Sequence, residues 1–316
     1  MKLSIIGPGI MPIPPHGWGA VESLIWDYKI FIEKYHQDVS VTIINTPNPN
    51  DIIKQTNEAK PDIIHIQYDN FAYLSNNFEC KKILLTSHYG YLDQMKNRIG
   101  DNYINLIKDF INSTAIILCL SPSIANIYKE FGCSAERLFI QPNGANDEIF
   151  HFNEICKLPE RSIYLAKIDW RKKQFMYQQL PMIDFVGNYA DGNFNPRHPN
   201  YLGEWSKNHL YEHLTDYANL ILLSDGEAHP LVCCEALVAG LGLVISEYAC
   251  ANLDTSLPFI DVIPNNKLND LYYINDIIIK NQKTSITMRK EIREYGLKNF
   301  SWKNIVDKYV NFIKSI

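Results

Sequence analysis

The chain lacks the features that would mark it for a membrane, a nucleic acid or an oxidising compartment. Its apolar runs are short: Met1-Lys2-Leu3-Ser4-Ile5-Ile6 gives way at once to Gly7-Pro8-Gly9, too brief for a signal-peptide core or a bilayer span of about 20 residues. Lysine and arginine form no cluster; the net charge is −5, and residues 1–150 hold 12 Lys+Arg against 16 Asp+Glu. Phosphate backbones and anionic lipids are bound by concentrated positive charge, so nucleic acid is argued against as a partner and peripheral membrane docking is disfavoured. Seven cysteines (Cys80, Cys119, Cys133, Cys156, Cys233, Cys234, Cys250) are scattered without a Cys-x-x-Cys spacing, as expected of reduced thiols in the cytoplasm. The adjacent Cys233 and Cys234 would point about 100° apart on a helix, which suits core filling and not a metal. A complete Gly-x-Gly-x-x-Gly fingerprint is also missing, because Pro12, Pro14 and Pro15 follow Gly7-Pro8-Gly9. That argues against a nicotinamide-dependent dehydrogenase.

What is present is a globular composition. With 316 residues, 46% hydrophobic and 21% charged, the chain suits two domains of about 150 residues each. Short β-branched runs at 3–6, 39–45, 62–68, 82–87, 115–120 and 138–141 alternate with helical patterns, which predicts parallel βαβ units. Between the first two, Val21, Leu24, Ile25, Tyr28, Phe31, Ile32 and Tyr35 recur at three- and four-residue intervals, the mark of one buried helix face. A polar stretch from Asn143-Gly144-Ala145-Asn146-Asp147 to about Pro159 reads as a junction. A second alternation follows, with strands expected at 162–167, 183–186, 219–223, 243–246 and 261–263, and helices near 205–216, 230–240, 268–281, 285–299 and 302–315. The expected class is α/β with two Rossmann-like doubly wound domains, at 1–150 and 151–300, and a closing helix at 301–316.

Three segments carry chemistry. Pro14-Pro15-His16-Gly17-Trp18-Gly19-Ala20-Val21-Glu22 lies between the first strand and the long helix, where glycines admit a ligand and the helix N-terminus offers free N–H groups to phosphate; a plain tight turn explains it equally well. Ala166-Lys167-Ile168-Asp169-Trp170-Arg171-Lys172-Lys173 places cations just beyond a strand, where ligands bind in open α/β sheets; alone, it also reads as a solvated charge run. The third is Ser224-Asp225-Gly226-Glu227-Ala228-His229-Pro230-Leu231-Val232-Cys233-Cys234-Glu235. Pro230 fits the first helical position, so Glu227 falls in the loop and Glu235 in the second turn of an otherwise apolar helix. An unpartnered carboxylate there would be costly, and two carboxylates so spaced can address two parts of one ligand.

In this order and at these distances, the segments resemble glycosyltransferase family 4, the retaining enzymes of the GT-B architecture. Residues 14–22 resemble its glycine loop, with Ala20 where many members have a second glycine. Pro61-Asp62-Ile63-Ile64-His65-Ile66-Gln67 is similar to its Pro-Asp-x-x-His-x-His strand, with Gln67 for the last histidine. Leu85-Thr86-Ser87-His88 resembles the strand end that brings a histidine near the donor sugar, Pro142-Asn143-Gly144 the turn before the linker, and Glu227-x7-Glu235 the family's acidic pair.

The resemblance implies two domains facing each other across a cleft, with the last helix crossing back to the first. It implies hexosyl transfer from a UDP-, GDP- or ADP-linked sugar, held mainly by the second domain, to an acceptor that the residues do not identify. By this resemblance Lys172 lies on the diphosphate and Lys167 stands where arginine is usual, while Glu235 holds the ribose and Glu227 the sugar. Ala228, His229, Pro230 and Leu231 line the donor, Gly17 and Gly19 close over the phosphates, and His88 faces the reacting sugar. Retention follows from the family alone. No two aspartates stand two apart, so the Asp-x-Asp handle for a divalent cation is missing and a metal-independent reaction without cofactor is expected. The alternative is a catalytically inactive nucleotide-sugar-binding or scaffold protein of the same fold.

Overall fold

The computed structural model describes residues 1–17, 19–92 and 103–316. The chain forms two compact units, Met1–Gly144 with Trp302–Ile316, and Ala145–Ser301. The boundary expected at 150 therefore lies at Ala145, because Asn143-Gly144 ends the first unit: a Cβ on Gly144 would sit 3.0 Å from the Trp302 ring. On the other side of the boundary, Ala145 N–H donates to Phe300 O at 2.8 Å.

The first unit runs β1 (Lys2–Ile6), α1 (Ala20–Tyr35), β2 (Ser40–Ile44), α2 (Pro49–Ala59), β3 (Ile63–Ile66), β4 (Ile83–Leu85), α3 (Tyr103–Asn112), β5 (Ile116–Cys119), α4 (Pro122–Glu130) and β6 (Leu138–Ile140). Its six strands are parallel in the order β2-β1-β3-β4-β5-β6. Helix α1 forms as its periodicity requires, burying Leu24, Ile25, Tyr28, Phe31 and Ile32. Helix α2 starts where Asn48 accepts from the N–H groups of Asn50 and Asp51, with Pro49 at the first position; Ser121 and Pro122 repeat the device at α4.

The second unit runs β7 (Leu158–Leu165), α5 (Gln174–Tyr177), β8 (Ile183–Val186), α6 (Lys207–His213), β9 (Tyr217–Leu222), α7 (Leu231–Val238), β10 (Gly242–Ser246), β11 (Ile260–Ile263), α8 (Leu271–Thr287) and α9 (Arg289–Phe300). Its five parallel strands take the order β11-β10-β9-β7-β8. Strand β7 begins four residues before the expected 162, because its exposed start, Leu158 to Glu160, pairs with β9 without the apolar alternation that marks a strand. Helix α8 begins later than 268, at the Asp270 cap that accepts from Tyr273 N–H, and runs past 281. There its buried face turns polar: Asn281 Nδ2 donates to Leu243 O at 3.1 Å and Phe259 O at 3.2 Å, and Gln282 Nε2 to Ser162 Oγ at 2.9 Å. Apolar periodicity cannot register a face of this kind.

The final helix, α10 (Trp302–Ser315), belongs to the first unit. Trp302 is fully buried, stacked on Phe31 at 6.0 Å and edge-on to Tyr28 at 4.9 Å, and Phe312 stacks on Phe139 at 3.7 Å. No helix among the described residues is long and apolar enough to cross a membrane.

One glycine is required by close approach. Gly187, at φ +145°, would place a Cβ 2.0 Å from Ala166 O, which fixes how tightly the chain leaving β8 crosses the chain leaving β7. Truncating Trp302 to alanine removes the ring between Tyr28, Phe31 and Gly144. The expected cost is about 3–5 kcal/mol, seen as a lower urea midpoint for the first unit. A midpoint within error of wild type contradicts this account of α10.

Candidate functional site

Both sheets share one topological feature. In the first the chain steps from β1 out to β2 and returns to β3 beside β1; in the second it steps from β7 to β8 and returns to β9 beside β7. At such a switch point the loops after two adjacent strands part, leaving a crevice at their carboxyl ends. The second unit's switch point is flanked by the loops that carry Lys167 to Lys173 and Ser224 to Pro230, which are the two charged segments singled out in the sequence.

The first of these loops is built around Asp169. Its Oδ1 accepts from the N–H groups of Arg171 at 3.1 Å and Lys172 at 3.2 Å, and its Oδ2 binds the Arg171 guanidinium at 2.5 and 3.1 Å. Burial pushes the Asp169 carboxyl up, but Arg171 and these donors outweigh it and hold it below the usual carboxylate range. The turn sets Lys172 against the second loop. Its Nζ meets Glu227 Oε1, and Ser224 Oγ–H donates to the same oxygen at 2.8 Å. The two side chains are only 18% and 14% exposed, so each depends on the other for its charge to be tolerated there. A wider pair, Lys173–Asp225 at 4.0 Å, lies alongside. Lys167, just past β7, is exposed, and its ammonium has no partner among the described residues.

Main chain and one hydroxyl lock the two loops together. Asp225 N–H donates to Arg171 O at 3.1 Å. Tyr164, fully buried on β7, donates from its hydroxyl to Lys172 O at 2.6 Å and accepts from Leu223 N–H at 3.1 Å. Ser246 Oγ–H holds Ser224 O at 2.6 Å. Tyr164 gives no signal in the sequence, since it stands in an apolar strand, whereas Asp169 two and three residues ahead of the N–H groups it receives is a recognisable turn.

Beyond Glu227, Ala228 is buried, and Pro230 takes the N-cap, so that α7 starts at Leu231, one residue later than expected. The His229 ring is turned into the core, 3.6 Å from the Cys234 thiol and 5.8 Å from the Phe300 ring, and burial holds it neutral with a pKa of about 4. Glu235 lies in the second turn of α7, half-buried. Cys233 and Cys234 are buried, and all seven cysteines are free.

In the first unit, Gly17 and Gly19 precede α1, with Gly19 as its N-cap, its N–H on Gly17 O at 3.1 Å and its carbonyl on Ser23 N–H at 2.9 Å. Trp18 between them lies outside the described residues. Gly9, at φ +71°, packs its α-carbon against the Thr46 main chain, so the Gly7-Pro8-Gly9 run is a turn fitted to the chain after β2. His88 follows β4 and is half-buried, with Nε2 at 3.4 Å from Gln67 Oε1. Burial lowers its pKa to about 4. The structure thus brings Lys172 and Glu227 into contact, keeps Lys167 in the same loop, and places Glu235 further along α7. Among the described residues no group of three or more histidine, cysteine or acidic side chains is arranged to hold a metal ion.

Replacing Tyr164 by phenylalanine keeps the ring and removes the shared hydroxyl, leaving Leu223 N–H and Lys172 O unpaired. The expected loss is about 1–3 kcal/mol in a urea titration. An unchanged midpoint would show that the hydroxyl does not lock the loops.

Comparison with known proteins gives two findings. Residues 29–149 match the family model Glycosyltransferase Family 4. No curated protein matches the chain significantly. Among solved structures, HepE from Anabaena in complex with UDP-glucose is 13% identical over 100% of both chains, with a TM-score of 0.74. Sucrose-phosphate synthase from Thermosynechococcus elongatus is 13% identical over 99% of this chain and 98% of that one, with a TM-score of 0.77. The lipopolysaccharide outer core galactosyltransferase WaaB, in its apo form, is 12% identical over 100% of both, with a TM-score of 0.69. At these identities the likeness is one of fold. Residues 29–149 are thus similar to Glycosyltransferase Family 4, in a chain with the GT-B fold, two Rossmann-like parallel-sheet domains, and the two findings together support transferase activity.

Proposed function

We propose that the protein is a retaining, metal-independent glycosyltransferase, which moves a hexosyl group from a UDP-, GDP- or ADP-linked donor to an acceptor hydroxyl in the cytoplasm. The observation that carries this reading is the Lys172–Glu227 pair at the β7/β9 switch point, with exposed Lys167 in the same loop. Breaking the anomeric C–O bond leaves negative charge on the departing diphosphate and positive charge on the sugar ring. Fixed cations beside the leaving group therefore favour the transition state over the ground state. Lys172 and Lys167 supply those cations, and the N-terminus of α7 adds its unpaired N–H groups.

Glu227 has two parts in this scheme. Without donor it neutralises Lys172; with donor, the ammonium turns to the diphosphate and the carboxylate to the hydroxyls of the sugar. Glu235 takes the ribose. The resemblance to family 4 supports front-face attack with retention, the leaving phosphate accepting the proton of the incoming hydroxyl. The missing Asp-x-Asp pattern and the lysines at the leaving group support a reaction without a divalent cation. HepE, of the same fold, was solved with UDP-glucose, which makes a UDP-sugar the first donor to try.

Lys172→Ala and Glu227→Ala are each expected to lower donor turnover by about 10²–10³-fold, with excess EDTA leaving the wild-type rate unchanged. Equal turnover in the wild type and both variants would end the enzymatic reading, and a rate abolished by EDTA would end its metal independence. In thermal-shift assays with UDP-, GDP- and ADP-sugars, the true donor at about 100 times its Kd adds about 2.7 kcal/mol to native stability. Glu235→Ala is expected to shrink that gain, and an undiminished shift would remove Glu235 from the donor site.

A further inference from the structure

Helix α6 carries two histidines one turn apart. His209 and His213 stand at an i,i+4 spacing, which brings side chains onto one face of a helix, and their ring centres are 4.3 Å apart. Two imidazoles bound to one ion at metal–nitrogen distances of about 2.0–2.1 Å have ring centres roughly 4.5–5 Å apart. Only a small rotation of the side chains therefore separates the pair from convergence on a single ion. His209 is exposed and His213 half-buried, so solvent reaches this face of the helix.

A carboxylate orients one of the two rings. Asp216 Oδ2 lies 2.9 Å from His213 Nδ1, and because an ionised carboxylate can only accept, the proton of the neutral ring sits on Nδ1 and Nε2 keeps its lone pair. This is the arrangement that fixes the tautomer of a metal-binding histidine. Asp216 is itself held in place: its Oδ1 meets Lys157 Nζ at 2.9 Å, its main-chain carbonyl accepts from the Cys156 thiol at 3.2 Å, and its side chain is only 10% exposed. His213 Nε2 makes no hydrogen bond among the described residues, and the Glu212 carboxylate stands 3.9 Å from it. Neither ring nitrogen of His209 is hydrogen-bonded among the described residues, while Trp205 supports the ring edge-on at 4.6 Å.

His213 and Asp216 come just before β9, at the amino-terminal edge of the second unit's sheet, whereas Lys172 and Glu227 lie beyond its carboxyl ends. The two histidines therefore take no part in the switch-point site. We propose that His209 and His213 form a two-imidazole site for a late first-row divalent ion, zinc above all, with water completing the coordination shell and Asp216 orienting His213 from behind. Imidazole nitrogen suits such ions, while magnesium and calcium require oxygen. Two protein ligands are fewer than the three of a catalytic zinc site or the four of a structural one, so the ion is held reversibly. It braces α6, and through Asp216 the chain at Cys156 and Lys157. No step of sugar transfer passes through it, and the inference is independent of the glycosyltransferase reading.

Zinc chloride added to the metal-free, full-length protein with its cysteines kept reduced tests the site by calorimetry and thermal shift. The wild type is expected to bind one equivalent and to melt at a higher temperature with zinc, and to show no change with magnesium chloride. His209→Gln, at an exposed position whose main-chain N–H keeps its Ser206 cap, is expected to lose both responses. His151→Gln, an exposed histidine outside the pair, is expected to keep them. A wild type that does not respond to zinc, a response equalled by magnesium, one retained in His209→Gln, or one lost in His151→Gln overturns the proposal. Asp216→Asn is expected to weaken zinc binding about 10–100-fold, and an unchanged affinity removes Asp216 from the site.

Nuclear magnetic resonance of the wild type labelled with 15N at histidine locates the ion without any variant, and decides if Asp216→Asn does not fold. Metal-free His213 is expected to be protonated on Nδ1. One equivalent of zinc chloride is expected to shift His213 Nε2 and one ring nitrogen of His209 together. A metal-free His213 protonated on Nε2, or zinc that binds and leaves both rings unmoved, as capture by the thiols would, overturns the proposal. These readouts are binding, melting and spectra, so a failure here leaves the reading of the switch-point site intact, and loss of that reading leaves the ion site intact.

Discussion

A parallel sheet sends the loop after every strand to the same edge, and a reversal of strand order parts two of those loops. Everything placed for chemistry in this protein follows from that constraint, used twice. In each unit the chain lays its second strand on one side of the first and its third on the other. In the first unit the glycine loop leaves β1 beside that reversal, and in the second the lysines after β7 lie against the loop after β9. Parallel strands are buried on both faces, as β3 and β9 are throughout, so the edge is where polar side chains can stand without desolvation.

At the second edge, the charged groups of the two loops are paired, apart from the exposed Lys167 ammonium. Lys172 and Glu227 neutralise each other, Ser224 shares the acceptor oxygen, and Asp169 gathers both the Arg171 guanidinium and two main-chain N–H groups. The Tyr164 hydroxyl ties the main chain of one loop to the residue that leads into the other, beside the Asp225–Arg171 main-chain bond and the Ser246 hydroxyl on Ser224 O. Such a pair is suited to exchange: an anionic ligand that takes the ammonium also frees the carboxylate, so charge is redistributed without an ion being stripped of all partners.

Histidines are used differently from one another. His65, His88 and His229 are all kept neutral by burial, but His65 spends both ring nitrogens inside the core and His229 packs against a thiol and an aromatic ring. His88 alone of the three combines a half-buried ring with a nitrogen that has no partner among the described residues. The distinction comes from their positions: inside β3, beyond β4, and at the start of α7.

The sequence by itself determined the α/β class, the two-unit division and nearly every strand, because β-branched runs and helix-period apolar faces reflect burial that is local to each element. It also determined which loops carry the charges. It missed the first residues of β7 and the last turns of α8, where buried or paired residues are polar and the apolar pattern is silent. Only the tertiary structure decided that Lys172 meets Glu227 across 55 residues, that Tyr164 locks their loops, that the His229 ring faces inward, and that Trp302 closes the first unit. These depend on which strands become neighbours, and neighbourhood in a sheet is set by packing between distant segments, for which no local spacing carries a signal.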